Sequence, residues 1–187
     1  MARLGWLLCL LLAGALHAAP GHRENGRESG RESGLERARP SQGMPSGADA
    51  VRPFVAGSLA RVLANRAGKP FILGFWSLDC VHCGEEMKRL KALKQRHPGL
   101  DLVLVSTDGE IEPATLAAHL QAAGLGRAEQ WVFADPVPER LRQEIDKRWY
   151  GELPRTYLYG RDGQVSAVSG LLNDDVLAPW LKRNLAP

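Results

Sequence analysis

Two cysteines two residues apart, Cys80-Val81-His82-Cys83, follow the apolar run Phe71-Ile72-Leu73-Gly74-Phe75-Trp76 and open a stretch with helical periodicity. A thiol at a helix N-terminus meets unpaired backbone N–H groups and the positive end of the helix dipole, and both favour thiolate over thiol. Cys80 is thereby placed to act as a nucleophile. Cys83, one turn further on, is close enough to attack a mixed disulfide formed by Cys80 and release the partner. This is dithiol–disulfide exchange, with Cys80 and Cys83 as a redox-active disulfide when oxidised.

The same spacing suits half of a zinc site. Structural zinc takes four ligands, however, and His97 and His119 are scattered, with no second cysteine pair beside them. Neither a resident metal nor a cofactor is expected. A different class of reading is a Cu(I)-handling protein with Cys80, Cys83 and His82 as soft ligands, marked by stoichiometric retention of the ion without reductase activity. A purely structural staple is a poor reading, because a bridge closing so short a loop removes little unfolded-state entropy.

The residues around the pair bear on its thiolate. An imidazole at His82 favours the charged form and a carboxylate at Asp79 disfavours it, so the two are expected to tune the redox balance in opposite directions. Asp79 has an alternative role as helix N-cap, and His82 as exposed surface. Glu86 lies three residues after Cys83 on the same helix side, where a carboxylate accepts the Cys83 proton or, alternatively, complements the helix dipole. Trp76 is expected as a wall of the substrate site, while Tyr157, Tyr159 and Trp180 read as packing residues.

These side chains must be held by a domain, and the ends of the chain bound it. Arg3 precedes an apolar run over residues 4–16, and small residues follow at Ala18 and Ala19. This is the pattern of a secretory signal peptide over residues 1–19, shorter than the ~20 apolar residues of a membrane-spanning helix. Export to the periplasm or beyond is expected, with membrane association only if the segment stays uncleaved. Cys9 lies inside the apolar run, so cleavage leaves Cys80 and Cys83 as the cysteines of the mature protein.

Residues 20–50 contain a repeat, Gly26-Arg27-Glu28-Ser29 and Gly30-Arg31-Glu32-Ser33, almost without large apolar side chains. Such a segment cannot bury enough surface to offset chain entropy and reads as a disordered low-complexity linker. Residues 51–187 are long enough for one domain with its own core. The formal charge of +3 is small for 187 residues, and no basic run is interleaved with aromatics, so nucleic acid is excluded as a partner.

Within that domain, Leu59, Val62 and Leu63 mark a helix from Ser58, which Gly68-Lys69-Pro70 stops before a strand over 71–76. Cys83, Met87, Leu90 and Leu93 mark the buried face of a helix reaching about Arg96, with Lys88, Arg89, Lys91 and Lys94 on its solvated side. A strand over 100–105 follows, then a loop, a helix over 113–123, a short strand over 131–133 and a helix over 138–148. A strand over 155–159 turns at Arg161-Asp162-Gly163 into an antiparallel strand over 164–168, and Asn173 caps a last helix to about Arg183. Alternating strands and helices closed by a hairpin predict an α/β domain with a central mixed β-sheet flanked by helices.

This order of elements, with CxxC after the first core strand and Leu153-Pro154 before the hairpin, resembles the thioredoxin fold. Within it the chain looks most like the exported TlpA/ResA-like thiol–disulfide oxidoreductases. The supporting stretches are Gly68-Lys69-Pro70, Cys80-Val81-His82-Cys83-Gly84-Glu85-Glu86, Val105-Ser106-Thr107-Asp108 and Tyr150-Gly151-Glu152-Leu153-Pro154. The resemblance implies that Pro154 is a cis-proline beside the cysteines, leaving the Leu153 backbone to bind an extended substrate strand. It also implies that Glu86 is the glutamate of the family's Cys-x-x-Cys-x-x-Glu pattern.

The resemblance implies a reductase of protein disulfides served by an upstream membrane electron donor or acceptor. A disulfide-forming oxidase is the alternative of the same class, raised by His82. Three departures stand out: Asp79 replaces the usual aromatic residue before the first cysteine, Gly74 occupies the place of the buried acid of ordinary thioredoxins, and Val81-His82 replaces the more familiar proline-containing pair between the cysteines, which leaves the redox direction open. A peroxiredoxin would use Ser77, three residues ahead of Cys80, but Leu73 stands where it needs proline.

Overall fold

In the computed structural model, which describes residues 50–185, strands and helices alternate. They run β1 (Arg52–Phe54), α1 (Ser58–Ala64), β2 (Phe71–Trp76), α2 (Cys83–Arg96), β3 (Asp101–Ser106) and α3 (Pro113–Ala122). Then follow β4 (Glu129–Phe133), α4 (Pro138–Ile145), the hairpin β5 (Arg155–Tyr159) and β6 (Val165–Ser169), and α5 (Asp174–Asn184). The expected signal peptide and, apart from Ala50, the expected linker lie outside the described residues.

The six strands form one mixed sheet in the order β1-β4-β3-β2-β5-β6. The first four pair parallel, while β5 runs antiparallel to β2 and β6 antiparallel to β5. Side chains alternate across a strand, so each strand feeds two cores. Ile72, Trp76, Leu102, Leu104 and Leu158 face a layer built by Met87, Leu90 and Leu93 of α2, Leu116 and Leu120 of α3, and Leu177 and Trp180 of α5. Phe71, Leu73, Phe75, Val103, Val105 and Tyr157 face Leu59 and Val62 of α1, Leu141 of α4, and Trp149. The α/β architecture expected from the sequence is present, with helices on both faces.

β2 is buried at every position because strands pair on both sides of it and helices cover both faces. Full burial of a large apolar side chain contributes roughly 1.5–3 kcal/mol, so the loop leaving its C-terminal end hangs from a firmly held element. At the opposite end Arg66, 8% exposed, bonds Asp101 Oδ2 at 2.8 Å and Glu129 Oε2 at 2.7 Å, tying the segment after α1 to the starts of β3 and β4.

Several boundaries differ from expectation. β1 has no counterpart in the sequence reading, and β4 begins two residues earlier than residue 131. α4 ends at Ile145 because Asp146 is extended, φ −160° and ψ 116°. The last helix is capped as expected, the Asn173 side chain accepting the Val176 N–H at 3.1 Å. The hairpin turn also matches, with Gly163 at φ +77°, a conformation glycine adopts without steric cost.

The consequential difference concerns the redox helix: α2 begins at Cys83, not at Cys80. Cys80 sits in the turn before it, where the Cys83 N–H donates to the Cys80 carbonyl at 3.1 Å. Asp79 is therefore not the N-cap; His82 holds that position without a side-chain capping bond.

Candidate functional site

Cys80 and Cys83 are joined by a disulfide, with Cα atoms 5.3 Å apart. Their surroundings are unequal. Cys83, as the first residue of α2, is 2% exposed and packs in the core with Trp76, Met87 and Leu90, whereas Cys80 is half-buried. Attack from outside therefore meets Cys80 first.

A shallow depression of about 460 Å³ opens beside Cys80, walled by Ser77, Asp79, Val81, His82 and Leu153. Val81 at its rim is 90% exposed. The Leu153–Pro154 peptide bond is cis, as the resemblance implied, and Pro154 is buried while Leu153 stays half-buried at the depression. The Pro154 carbonyl accepts the Gly170 N–H at 2.8 Å, which fastens the turn to the end of β6. Trp76, expected as a wall for substrate, stands behind the site instead. It is 3% exposed and its ring stacks on His119 at 5.3 Å between centroids.

Glu86, in the first turn of the helix that Cys83 begins, is a buried acid, 3% exposed. It accepts the Thr156 hydroxyl at 3.2 Å on Oε1 and the Leu172 N–H at 2.9 Å on Oε2, joining α2 to β5 and to the segment before α5. Thr156 pairs in register with Gly74. A Cβ at Gly74 would stand 3.1 Å from Leu104 Cδ2 and 3.8 Å from Leu90 Cδ1. A side chain at Gly74 would crowd Leu104, and the carboxylate that meets Thr156 on the neighbouring strand comes from the helix instead.

Burial pushes the Glu86 carboxyl above its ordinary value of 4.5, the Leu172 amide and the Thr156 hydroxyl offsetting part of the effect. With the folded-state pKa above the unfolded one, the stability linked to this proton is complete below about pH 4.5 and is lost as pH rises through the folded-state value. Glu86→Gln removes that titration. Its stability relative to the parent is expected to improve steadily from about pH 4 toward neutrality in denaturant titrations at several pH values. A difference independent of pH would show that Glu86 ionises as readily in the folded chain as in the unfolded one.

A contact the sequence reading did not anticipate, between Ser77 after β2 and Asp108 after β3, closes one side of the site. The Ser77 hydroxyl donates to Asp108 Oδ1 at 2.7 Å, and the Leu78 N–H donates to Asp108 Oδ2 at 2.9 Å. Their signal was positional: Trp76 and Ser106 are in register, so the polar residues just beyond them leave adjacent parallel strands side by side. The Ser77 hydroxyl that a peroxiredoxin reading would use is engaged by Asp108 in this structure. Among the described residues, no three His, Cys, Asp or Glu side chains group as metal ligands. A hollow of about 650 Å³ opens at the opposite ends of β3 and β4, near Asp101, Glu129 and Gln130, and none of its walls belongs to the cysteine site.

The fold is of the thioredoxin type. Among solved structures the chain is similar to a secreted disulfide oxidoreductase of Mycobacterium tuberculosis homologous to E. coli DsbE. The two are 19% identical over 64% of this chain and 84% of that one, with a TM-score of 0.50. A thioredoxin-family thiol:disulfide interchange protein of Chlorobium tepidum is 16% identical over 66% and 85%, with a TM-score of 0.51. A DsbF homologue from Corynebacterium diphtheriae is 14% identical over 64% and 74%, with a TM-score of 0.51. Identity this low establishes a shared fold. No protein-family model and no curated protein sequence matches the chain. Among the described residues no helix is long and apolar enough to cross a membrane.

Proposed function

We propose that this chain is an exported thiol–disulfide oxidoreductase of the TlpA/ResA-like kind, acting as a reductase on disulfides of protein substrates. The observation that carries the reading is the inequality within the Cys80–Cys83 disulfide, one sulfur reachable beside a cis-Pro loop and the other buried at a helix start. In the reductive direction the Cys80 thiolate attacks a substrate disulfide, forming a mixed disulfide and releasing one substrate thiolate, which takes a proton. Cys83 then loses its proton, its thiolate attacks Cys80 Sγ, and the second substrate thiolate leaves with the Cys80–Cys83 bond formed.

Glu86 supplies the base for that second step, since a buried carboxylate with raised proton affinity takes a thiol proton more readily than an exposed one. Leu153 offers main chain to an extended substrate segment. Returning the pair to the dithiol takes two electrons from a membrane donor. The leader pattern over residues 1–19 and the polar, repeat-containing stretch over 20–50 support export of the domain, residues 51–187, to the periplasm.

Equilibration with glutathione buffers, read as the mass of alkylated and disulfide forms, tests the redox reading. The parent protein is expected to interconvert fully between the two states. Neither the Asp79 nor the His82 side chain is tied to another described residue, so each reaches the thiolate through solvent. His82→Ala is expected to make the pair more reducing and Asp79→Asn more oxidising, each by about 10–30 mV, where ~30 mV is tenfold in the two-electron equilibrium constant. A pair that stays oxidised at every glutathione ratio is a structural staple, and the proposal fails.

A further inference from the structure

The segment between β2 and Cys80 is held by one carboxylate. Asp108 Oδ1 accepts the Ser77 hydroxyl at 2.7 Å, and its Oδ2 accepts both the Leu78 N–H and the Ser106 hydroxyl at 2.9 Å. The Asp79 N–H donates to Ser77 Oγ at 3.1 Å, and the Cys80 N–H to the Ser77 carbonyl at 3.3 Å. Three successive amides leading to the reactive sulfur are thus engaged, one by Asp108 directly and one through the serine it holds. The anchor itself is fixed, because the Asp108 N–H donates to Ser106 Oγ at 3.1 Å and the Thr107 N–H to the Trp76 carbonyl at 2.9 Å.

Hydroxyls and amides alone would be satisfied by a neutral amide side chain. A carboxylate makes these bonds stronger, and it adds a negative charge to a turn that ends on a thiol. Resting on the redox reading above, we propose that Asp108 is a positioning residue for the cysteine pair. It fixes the 77–79 turn, withholds the Leu78 amide from the Cys80 thiolate, and by its charge keeps that thiol protonated to higher pH and the couple more reducing.

The other titratable groups near Cys80 are Asp79 and His82 at the depression, with Glu86 buried one turn into α2. β5 and its turn present the uncharged Leu153 and Pro154, and His119 of α3 lies on Trp76. None of these bonds Asp108, so a change there reaches the thiol through the turn and through its charge.

The test compares Asp108→Ala and Asp108→Asn with the parent in two measurements on the full chain: the pH midpoint of Cys80 alkylation and the equilibrium with glutathione. Asn can still accept the Leu78 amide and meet the Ser77 hydroxyl, so it separates charge from folding and carries the test if the Ala variant does not fold. The Asn variant is expected to lower the alkylation midpoint by about half a unit or more and to shift the glutathione equilibrium about threefold or more toward the dithiol. The Ala variant is expected to shift both at least as far. A loop tie with no bearing on chemistry would alter thermal stability and leave both readouts in place, which overturns the proposal, as does an upward shift of the midpoint. If the parent fails to exchange with glutathione, the redox reading itself falls, whereas unchanged variants of an exchanging parent refute only the role of Asp108.

Discussion

Cys83→Ser is expected to turn the protein into a trap that accumulates mixed disulfides with its substrates, while Cys80→Ser accumulates none. The asymmetry follows from position: Cys80 is half-buried beside the depression, and Cys83 is 2% exposed within the core. A substrate disulfide therefore reaches only the first sulfur, and a thiolate from the second is needed to release it. Both variants should lose turnover entirely, because each removes one of two obligatory bond exchanges. Non-reducing gels of periplasmic extracts, with the adducts identified by mass, read the outcome. Adducts formed by Cys80→Ser at levels equal to those of Cys83→Ser would reverse or erase the assigned roles.

Trp149→Ala is expected to cost about 3–5 kcal/mol of stability, the range for deleting a large buried aromatic. The ring is 1% exposed, lies 4.7 Å from Phe75 between centroids, and donates Nε1–H to the Glu152 carbonyl at 2.9 Å. Phe75 belongs to the strand that carries the cysteine turn, and Glu152 stands two residues before the cis-proline, so one side chain spans both halves of the site. Trp149→Phe keeps most of the packing while losing the hydrogen bond, and is expected to fall between the parent and the Ala variant. Thermal or urea unfolding supplies the measurement. An Ala variant within 1 kcal/mol of the parent would mean that the surrounding aromatics, Phe133 among them, collapse into the space.

The central sheet was legible because its strands alternate or run apolar over five or six residues, long enough for period-two patterning to show. β1 was not, since three residues with a proline among them and only Phe54 buried carry no period. The helix start was misread for a physical reason. Residues 77–79 are drawn into a turn by Asp108, a contact 30 residues away, and His82 is a weak capping type.

Glu86 was found as a candidate from its place after the cysteines, but its burial was not. A glutamate in a helical first turn reads as solvated, and the groups that make burial tolerable, the Thr156 hydroxyl and the Leu172 amide, are supplied from far along the chain. Trp76 was expected at the substrate wall, but it is buried and stacks on His119, a partner 43 residues along that its own sequence neighbourhood does not reveal.

The bond between Glu86 and the Leu172 amide joins residues 86 positions apart and gives the site an order of assembly. In a chain that emerges from its N-terminus, the cysteines and their helix are made early, and the amide that the helix's acid requires is among the last parts to arrive. Until the segment leading into α5 docks, Glu86 lacks the Leu172 amide that offsets part of the cost of its burial in the first turn of α2. During that interval both thiols belong to an unfinished protein and are open to the oxidants that make disulfides in other clients. If the chain is exported and exchanges disulfides as proposed, it is a substrate of the thiol chemistry around it before it is an agent of that chemistry, and docking of its C-terminal helix marks the change.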